Sequence, residues 1–250
     1  MAGRLDGKIA LVTGGSTGIG LGTAKRFAAE GAHVYITGRR PAELQAAAAE
    51  IGGNATAVQA DSGRLDDLDR LYEQIRAERG RLDVLFVNAG GGSMLPLGSI
   101  TEEQYEDTFN RNVKGVLFTV QKALPLLVDG ASVILTSSTA GSTGTPAFSV
   151  YGASKAAVRS FVRSWILDVK HRGIRINAIS PGPIETPGLL DLADTPEARQ
   201  GLLDAMASQI PLGRVGRPDE VAGAAVFLAS DDASFVNGIE LFVDGGLAQI

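Results

Sequence analysis

Tyr151 and Lys155 stand four residues apart, and of the four tyrosines only this one is followed at that distance by a lysine. Tyr35 meets Arg39, Tyr72 meets Arg76 and Tyr105 meets Phe109. On a helix the four-residue spacing stacks a phenol and an ammonium on one face. A nearby cation favours the phenolate, which would lower a phenol pKa of about 10 towards working pH, as proton transfer to or from a substrate requires. Taken alone, a Tyr-x-x-x-Lys pair is equally the decoration of a solvated helix. Ser138 alters that reading because it follows an apolar run, where a hydroxyl could hydrogen-bond a substrate oxygen beside the tyrosine. Otherwise it is a turn former among Ser137, Ser138 and Thr139.

A second chemistry-bearing stretch lies near the start, at Thr13-Gly14-Gly15-Ser16-Thr17-Gly18-Ile19-Gly20 between an apolar run and a helical pattern. A glycine-rich turn in this place brings backbone N–H groups to a pyrophosphate at a helix N-terminus. Gly14, Ser16, Thr17, Gly18, Ile19 and Gly20 are the candidate contacts; the plain alternative is a tight strand-to-helix turn. The next apolar run ends Gly38-Arg39-Arg40, with no acid for a ribose 2′-hydroxyl. Gly38 leaves room for a 2′-phosphate, Arg39 supplies a bidentate guanidinium and Arg40 a second one, so NADP(H) is favoured over NAD(H). Two solvated arginines before a helix at Pro41 are the alternative.

The elements that position these residues are read from apolar runs at 9–12, 34–37, 55–59, 84–87, 132–136, 174–178 and 239–243, separated by amphipathic stretches. Runs apolar throughout suit strands buried on both faces, and their alternation with helices implies right-handed crossovers. The expectation is an α/β chain of one domain, residues 1–250, with a doubly wound, Rossmann-type sheet of about seven parallel strands and helices on both faces. Thr101 with Gln104 reads as a capping box, and Pro218 with Asp219 and Glu220 as another helix start. Residues 188–211 break the alternation and are a candidate substrate lid, or a plain surface excursion.

The set Thr13-Gly14-x-x-x-Gly18-x-Gly20, Asn88-Ala89-Gly90, Asn112, Ser138, Tyr151-x-x-x-Lys155 and Pro181-Gly182 resembles the short-chain dehydrogenase/reductase family over nearly the whole chain. In detail it is similar to bacterial NADP-dependent alcohol dehydrogenases that reduce bulky ketones. The resemblance implies a catalytic tetrad of Asn112, Ser138, Tyr151 and Lys155. Asn112 would hold a backbone distortion and a water, Ser138 would polarise the substrate oxygen, and Tyr151 would transfer the proton. Lys155 would also bind the nicotinamide ribose. Asp61 and Ser62 would lie at the adenine, Asn88, Ala89 and Gly90 along the cofactor cleft, and Pro181, Gly182, Ile184 and Thr186 at the nicotinamide end. Phe148 and Leu189 would join Ser138 and Tyr151 at the substrate, with Gly91, Ser93 and Thr143 shaping the pocket. Two departures are Val87, where the family often has a second asparagine, and Ser62, where an aliphatic residue is common. The resemblance also implies a homotetramer.

Composition narrows the rivals. With 23 basic and 28 acidic residues the net charge of −5 disfavours nucleic-acid and anionic-membrane partners and leaves small anions possible as ligands; a small carbonyl or alcohol substrate is what the family resemblance implies. The absence of cysteine removes disulfides and thiolate chemistry and fits a cytoplasmic protein. No metal site is expected, because the two histidines, His33 and His171, have no ligand spacing. Gly14-Gly15-Ser16-Thr17-Gly18 also spells a hydrolase nucleophile elbow, but neither histidine is placed to serve it. Other readings are a 3-oxoacyl-thioester reductase, whose carrier protein would need a basic patch from residues such as Arg111, Arg159 and Arg172, and an NADP-binding sensor without turnover. An apolar stripe of Ala156, Ala157, Phe161, Trp165 and Leu167 on the helix from Tyr151 could be core or could pair subunits.

Overall fold

The computed structural model describes residues 3–249. Among them, seven strands form one all-parallel sheet: β1 (Ile9–Val12), β2 (His33–Gly38), β3 (Ala55–Gln59), β4 (Leu82–Val87), β5 (Leu127–Thr136), β6 (Arg175–Pro181) and β7 (Glu240–Val243). Their spatial order is β3-β2-β1-β4-β5-β6-β7. The order reverses between β1 and β4, and there a doubly wound sheet opens its crevice at the carboxyl ends of the strands.

Helices cover both faces: α1 (Gly18–Ala29), α2 (Pro41–Ile51), α3 (Leu65–Glu78), α4 (Glu102–Phe109), α5 (Gly115–Ala123), α6 (Ser149–Asp168), α7 (Pro187–Leu190), α8 (Pro196–Ala207) and α9 (Pro218–Ala229). Side chains alternate across each strand, so two cores form. Ala10, Val12, Val34, Ile36, Val84 and Phe86 face Ala24 and Phe27 of α1, Leu44 of α2, and Val221 and Val226 of α9. Leu11, Tyr35, Leu85, Val133 and Ile176 face Leu71 and Ile75 of α3, Val116 and Val120 of α5, and Val158 and Val162 of α6. Burial on both faces explains the unbroken apolar runs.

The runs at 9–12 and 55–59 coincide with β1 and β3. β5 starts earlier than its expected 132–136, because Leu127 pairs with Leu82 before a register shift that accommodates Asp129 and Gly130. β6 extends past 178 to Pro181, paired with Val243. Thr101 caps α4 by accepting from the N–H of Gln104 at 3.1 Å. The Gln104 amide turns instead to the Ser93 carbonyl, so the box is half closed. At α9, Glu220 accepts from the N–H of Arg217 at 2.8 Å.

Residues 188–211 hold most of α7 and all of α8, and neither helix has a buried residue. The buried face of α6 is Ser154, Lys155, Val158 and Val162. The apolar stripe therefore lies outside the deep core: Phe161 and Trp165 are half-buried and stacked at 4.5 Å, and Leu167 is 66% exposed. Among the described residues, no helix is long and apolar enough to cross a membrane.

Candidate active site

The carboxyl ends of β1 to β6 carry the candidate residues. The turn after β1 carries Gly14 at φ 64° and Gly18 at φ 53°, in the left-handed region that glycine enters freely. A Cβ on Gly14 would come within 3.2 Å of the Asn88 amide, and one on Gly20 would overlap the Gly14 carbonyl oxygen. Thr17 precedes α1 and no side chain caps the helix, so its first-turn N–H groups face the cleft with Ser16 and Ile19 beside them. Thr13 locks the turn to the end of β4: its Oγ1 accepts from the N–H groups of Asn88 at 3.0 Å and Ala89 at 3.1 Å. The Asn88 amide returns two bonds to the carbonyls of Thr13 and Gly14.

At the end of β2, a Cβ on Gly38 would stand 3.0 Å from the Ser16 hydroxyl, so the strand end lies over the glycine turn. Arg40 is ion-paired with Glu43. Arg39 is exposed, with its carbonyl held by Gln59 at 3.1 Å, and its guanidinium has no ion pair among the described residues. After β3, Asp61 accepts from the Gly63 N–H at 2.9 Å and its own N–H is held by Asp67 at 2.8 Å. The Ser62 carbonyl would touch a Cβ on Gly115 at 3.1 Å, which brings the start of α5 against this loop. Beyond β6, Gly182 bonds the Val243 carbonyl, Ile184 is buried and pairs with Gly216, and Thr186 caps α7 through the Leu189 N–H at 3.2 Å. The Thr186 methyl would lie 3.1 Å from a Cβ on Gly18, so these two turns meet.

Between these turns lie the four polar side chains read from the sequence. Asn112 is fully buried in a π-helical turn, Asn110–Lys114, that joins α4 to α5. Such turns widen a helix and aim a side chain or carbonyl off the regular ladder. Its Oδ1 accepts from the Gly91 N–H at 3.0 Å, and its Nδ2 donates to the Gly91 carbonyl and to Ser154 Oγ, both at 2.9 Å. Ser154 in turn donates to the Tyr151 carbonyl at 2.7 Å. Lys155 is 3% exposed, its Nζ donating to the Thr136 carbonyl at 2.8 Å and lying 5.5 Å from the centre of the Tyr151 ring. Ser137 donates to the Lys155 carbonyl at 3.0 Å, tying the end of β5 to α6. Ser138 Oγ accepts from the Ala140 N–H at 3.2 Å, which leaves its own O–H to donate elsewhere.

Burial pushes the Lys155 ammonium down to about 8. Burial also raises the Tyr151 phenol, and a hydrogen bond with Ser138 pulls it partly back. The direction is opposite to the one expected from the Tyr-x-x-x-Lys spacing. Desolvation disfavours the phenolate, while the lysine spends its hydrogen bond on Thr136. Near neutral pH the site thus holds a protonated phenol, a proton donor, beside a hydroxyl and a buried cation.

Residues 14–248 match the family model described as enoyl-(acyl carrier protein) reductase. The chain is 52% identical over 249 residues to oxidoreductase asL5 of Sarocladium schorii, covering 99% of this chain and 98% of that one. It belongs to the short-chain dehydrogenase/reductase family. Galactitol 2-dehydrogenase of Agrobacterium fabrum is 38% identical over 252 residues, 97% of this short-chain dehydrogenase/reductase and 98% of the relative. A solved short-chain dehydrogenase/reductase structure superposes with a TM-score of 0.89 at 39% identity, over 99% of this chain and all of that one.

In this short-chain dehydrogenase/reductase, the sequence-derived residues gather at one rim, with unequal roles open to them. Phe148 lies against Tyr151, whereas Leu189 sits on α7 with its N–H capped by Thr186. Ile184 offers its backbone, since its side chain is in the core. Thr13 heads the glycine-rich motif, but its tie to the end of β4 was not legible there, and the sequence did not single out Thr136, Ser154 or Gly92. Thr136 and Gly92 act through long-range contacts invisible to periodicity, whereas Ser154, a serine beside Lys155 and three residues after Tyr151, carried a local signal. His33 lies at the opposite end of β2, bonded to Thr56 at 2.9 Å, which removes the base that a hydrolase elbow at Ser16 requires.

Proposed function

We propose that this chain is an NADP(H)-dependent reductase of ketones and aldehydes, working reversibly on the corresponding alcohols. The observation that carries the reading is the buried chain Gly91–Asn112–Ser154–Tyr151, with Lys155 held on Thr136, packed beside Gly90 in the Asn88–Gly90 stretch that lies against the glycine turn. The glycine cradle fits a dinucleotide: side chains at Gly14, Gly18 and Gly20 would fill it, and α1 directs open N–H groups into it. Gly14, Ser16, Thr17, Gly18, Ile19 and Gly20 would hold the pyrophosphate, Arg39 the 2′-phosphate with Arg40 behind it, and Asp61 and Ser62 the adenine. Asn88, Ala89 and Gly90 would line the cleft, with Pro181, Gly182, Ile184 and Thr186 at the nicotinamide. When bound, the nicotinamide supplies or accepts the hydride.

The chain's own residues do the rest. Ser138 donates its O–H to the substrate oxygen and orients it. Tyr151 gives that oxygen its proton in reduction and takes it back in oxidation. Lys155, positively charged below about pH 8, stabilises the phenolate that reduction leaves behind. Asn112 holds the Gly91 backbone and α6 in register. Phe148 and Leu189 bound the pocket, and residues 188–211, whose helices have no buried residue, act as the lid.

A 3-oxoacyl thioester on a carrier protein is the alternative, but each of the three arginines that would recruit it already has an acidic partner. Arg111 is paired with Asp107, Arg159 with Glu240, and Arg172 with Asp129 and two backbone carbonyls. The half-exposed stripe on α6 supports a homotetramer, and the lack of cysteine a cytoplasmic setting. The test is a screen of nicotinamide absorbance with NADPH and NADH against bulky aryl ketones, small ketones, steroids and 3-oxoacyl thioesters. Turnover of a free ketone with NADPH is expected. Inactivity with every carbonyl would turn the reading to an NADP-binding sensor.

A further inference from the structure

The ring of Tyr151 is held by two residues that take no part in proton transfer. Phe148 stacks on it, with ring centroids 4.2 Å apart and planes 18° from parallel. The backbone of Gly92 presses on its flank: a Cβ there would stand 2.6 Å from Tyr151 Cδ2, 3.0 Å from its Cβ and 3.1 Å from its Cγ. Neither contact is casual. Gly91, next to Gly92, is clamped through both its N–H and its carbonyl by Asn112, so the Gly92 backbone cannot retreat from the ring.

Phe148 is fixed just as firmly. Its carbonyl accepts the N–H of Gly152 in the first turn of α6, at 2.9 Å. Its predecessor Ala147 has φ 60°, the one non-glycine residue in the left-handed region among those described. A residue with a Cβ adopts that conformation against a steric penalty and keeps it only where surrounding bonds over-determine it. Here the Ala147 carbonyl accepts the Leu95 N–H at 2.8 Å, stapling the segment before α6 to the segment that carries Gly91 and Gly92. The strained residue therefore joins the two sides of the clamp.

We infer that Gly92 and Phe148 are positioning residues that fix the direction of the Tyr151 phenol towards Ser138. The inference rests on the reading of Tyr151 as the proton donor. It gives Phe148 a task other than forming the pocket wall: a wall residue acts on substrate binding, whereas a residue that aims the proton donor acts on the chemical step. It also explains why a glycine is needed at 92, where φ imposes no such demand.

The experiment measures kcat, KM and NADPH affinity for Phe148→Leu, Phe148→Tyr, Gly92→Ala and Tyr151→Phe, with the ketone found active in the screen. Misplacing a reacting group by about 1 Å costs on the order of 10²-fold. Phe148→Leu and Gly92→Ala should therefore lower kcat by about 10- to 100-fold with NADPH affinity unchanged. Phe148→Tyr, which keeps the stacked ring, should lose clearly less kcat than Phe148→Leu, whatever it does to KM. If Tyr151→Phe is inactive while Phe148→Leu changes KM alone and leaves kcat at the wild-type value, the clamp is wrong and Phe148 is only a wall. If Tyr151→Phe turns over as the wild type does, the proton-donor reading fails and the clamp falls with it. Gly92→Ala failing to fold leaves Phe148→Leu against Phe148→Tyr to decide.

Discussion

Arg39→Ala separates the cofactor reading from generic surface charge. The Arg39 guanidinium is exposed and has no acidic partner among the described residues, whereas the adjacent Arg40 is bound to Glu43. The strand end that carries Arg39 lies 3.0 Å, measured from a Cβ on Gly38, from the Ser16 hydroxyl of the glycine turn. A bidentate contact to a 2′-phosphate is charge-assisted and worth about 1.5–3 kcal/mol. Solvent screening at an exposed site puts the value at the lower end, and about 1.4 kcal/mol is a factor of ten. Arg39→Ala should therefore lower kcat/KM with NADPH by about 10-fold, rising towards 100-fold at low salt, and leave kcat/KM with NADH unchanged. Arg40→Ala removes a guanidinium already engaged by Glu43 and should change the NADPH-to-NADH ratio by much less than Arg39→Ala does. Initial rates with both cofactors across a salt series give the answer. Equal losses with NADPH and NADH, or a larger effect at Arg40, would refute the assignment.

Three further outcomes follow from the same geometry. Because burial raises the Tyr151 phenol, reduction should hold its rate through neutral pH and fall only in the alkaline range, while oxidation, which needs the phenolate, rises with pH; Ser138→Ala, removing the bond that pulls the phenol back, should move the inflection in kcat/KM to higher pH. Arg175 is buried and donates to the carbonyls of Leu228 at 2.8 Å and Ser230 at 3.2 Å at the end of α9; Ser132 and the Ala233 N–H still bond these carbonyls in Arg175→Met, so the loss should be about 0.5–1.5 kcal/mol, read as a fall of a few degrees in Tm. His33 is held neutral by burial and by the Arg79 guanidinium at its Nδ1, so its contribution is whole above its ordinary 6.5 and is lost as pH falls below that value towards its lowered folded pKa; His33→Gln should flatten the fall in denaturation midpoint on that acid limb.

The alternation of apolar runs with amphipathic stretches made the sheet legible, because strands buried on both faces admit few polar residues. β1 and β3 were readable to the residue, each being short and bounded by turn formers. The early start of β5 was not, since Asp129 and Gly130 carry a turn signal that pairing with β4 overrides. At the site, the Tyr151–Lys155 spacing showed a shared face but not the charge balance. The partner that fixes Lys155, the Thr136 carbonyl, is a backbone atom on another element. The same limit hid the contact of Gly92 with Tyr151, which arises only when the loop after β4 folds over α6. The half-exposed position of Phe161 and Trp165 was equally beyond reach, because an amphipathic stripe does not state which surface covers it.

The most direct test is the kcat of Tyr151→Phe for the ketone, measured at an NADPH concentration shown by titration to saturate the variant. The substitution keeps the ring between Phe148 and Gly92 and removes only the hydroxyl. A fall of about 10²- to 10⁴-fold is expected, the usual contribution of a positioned proton donor. A rate close to that of the wild type would show that the substrate oxygen takes its proton from another group.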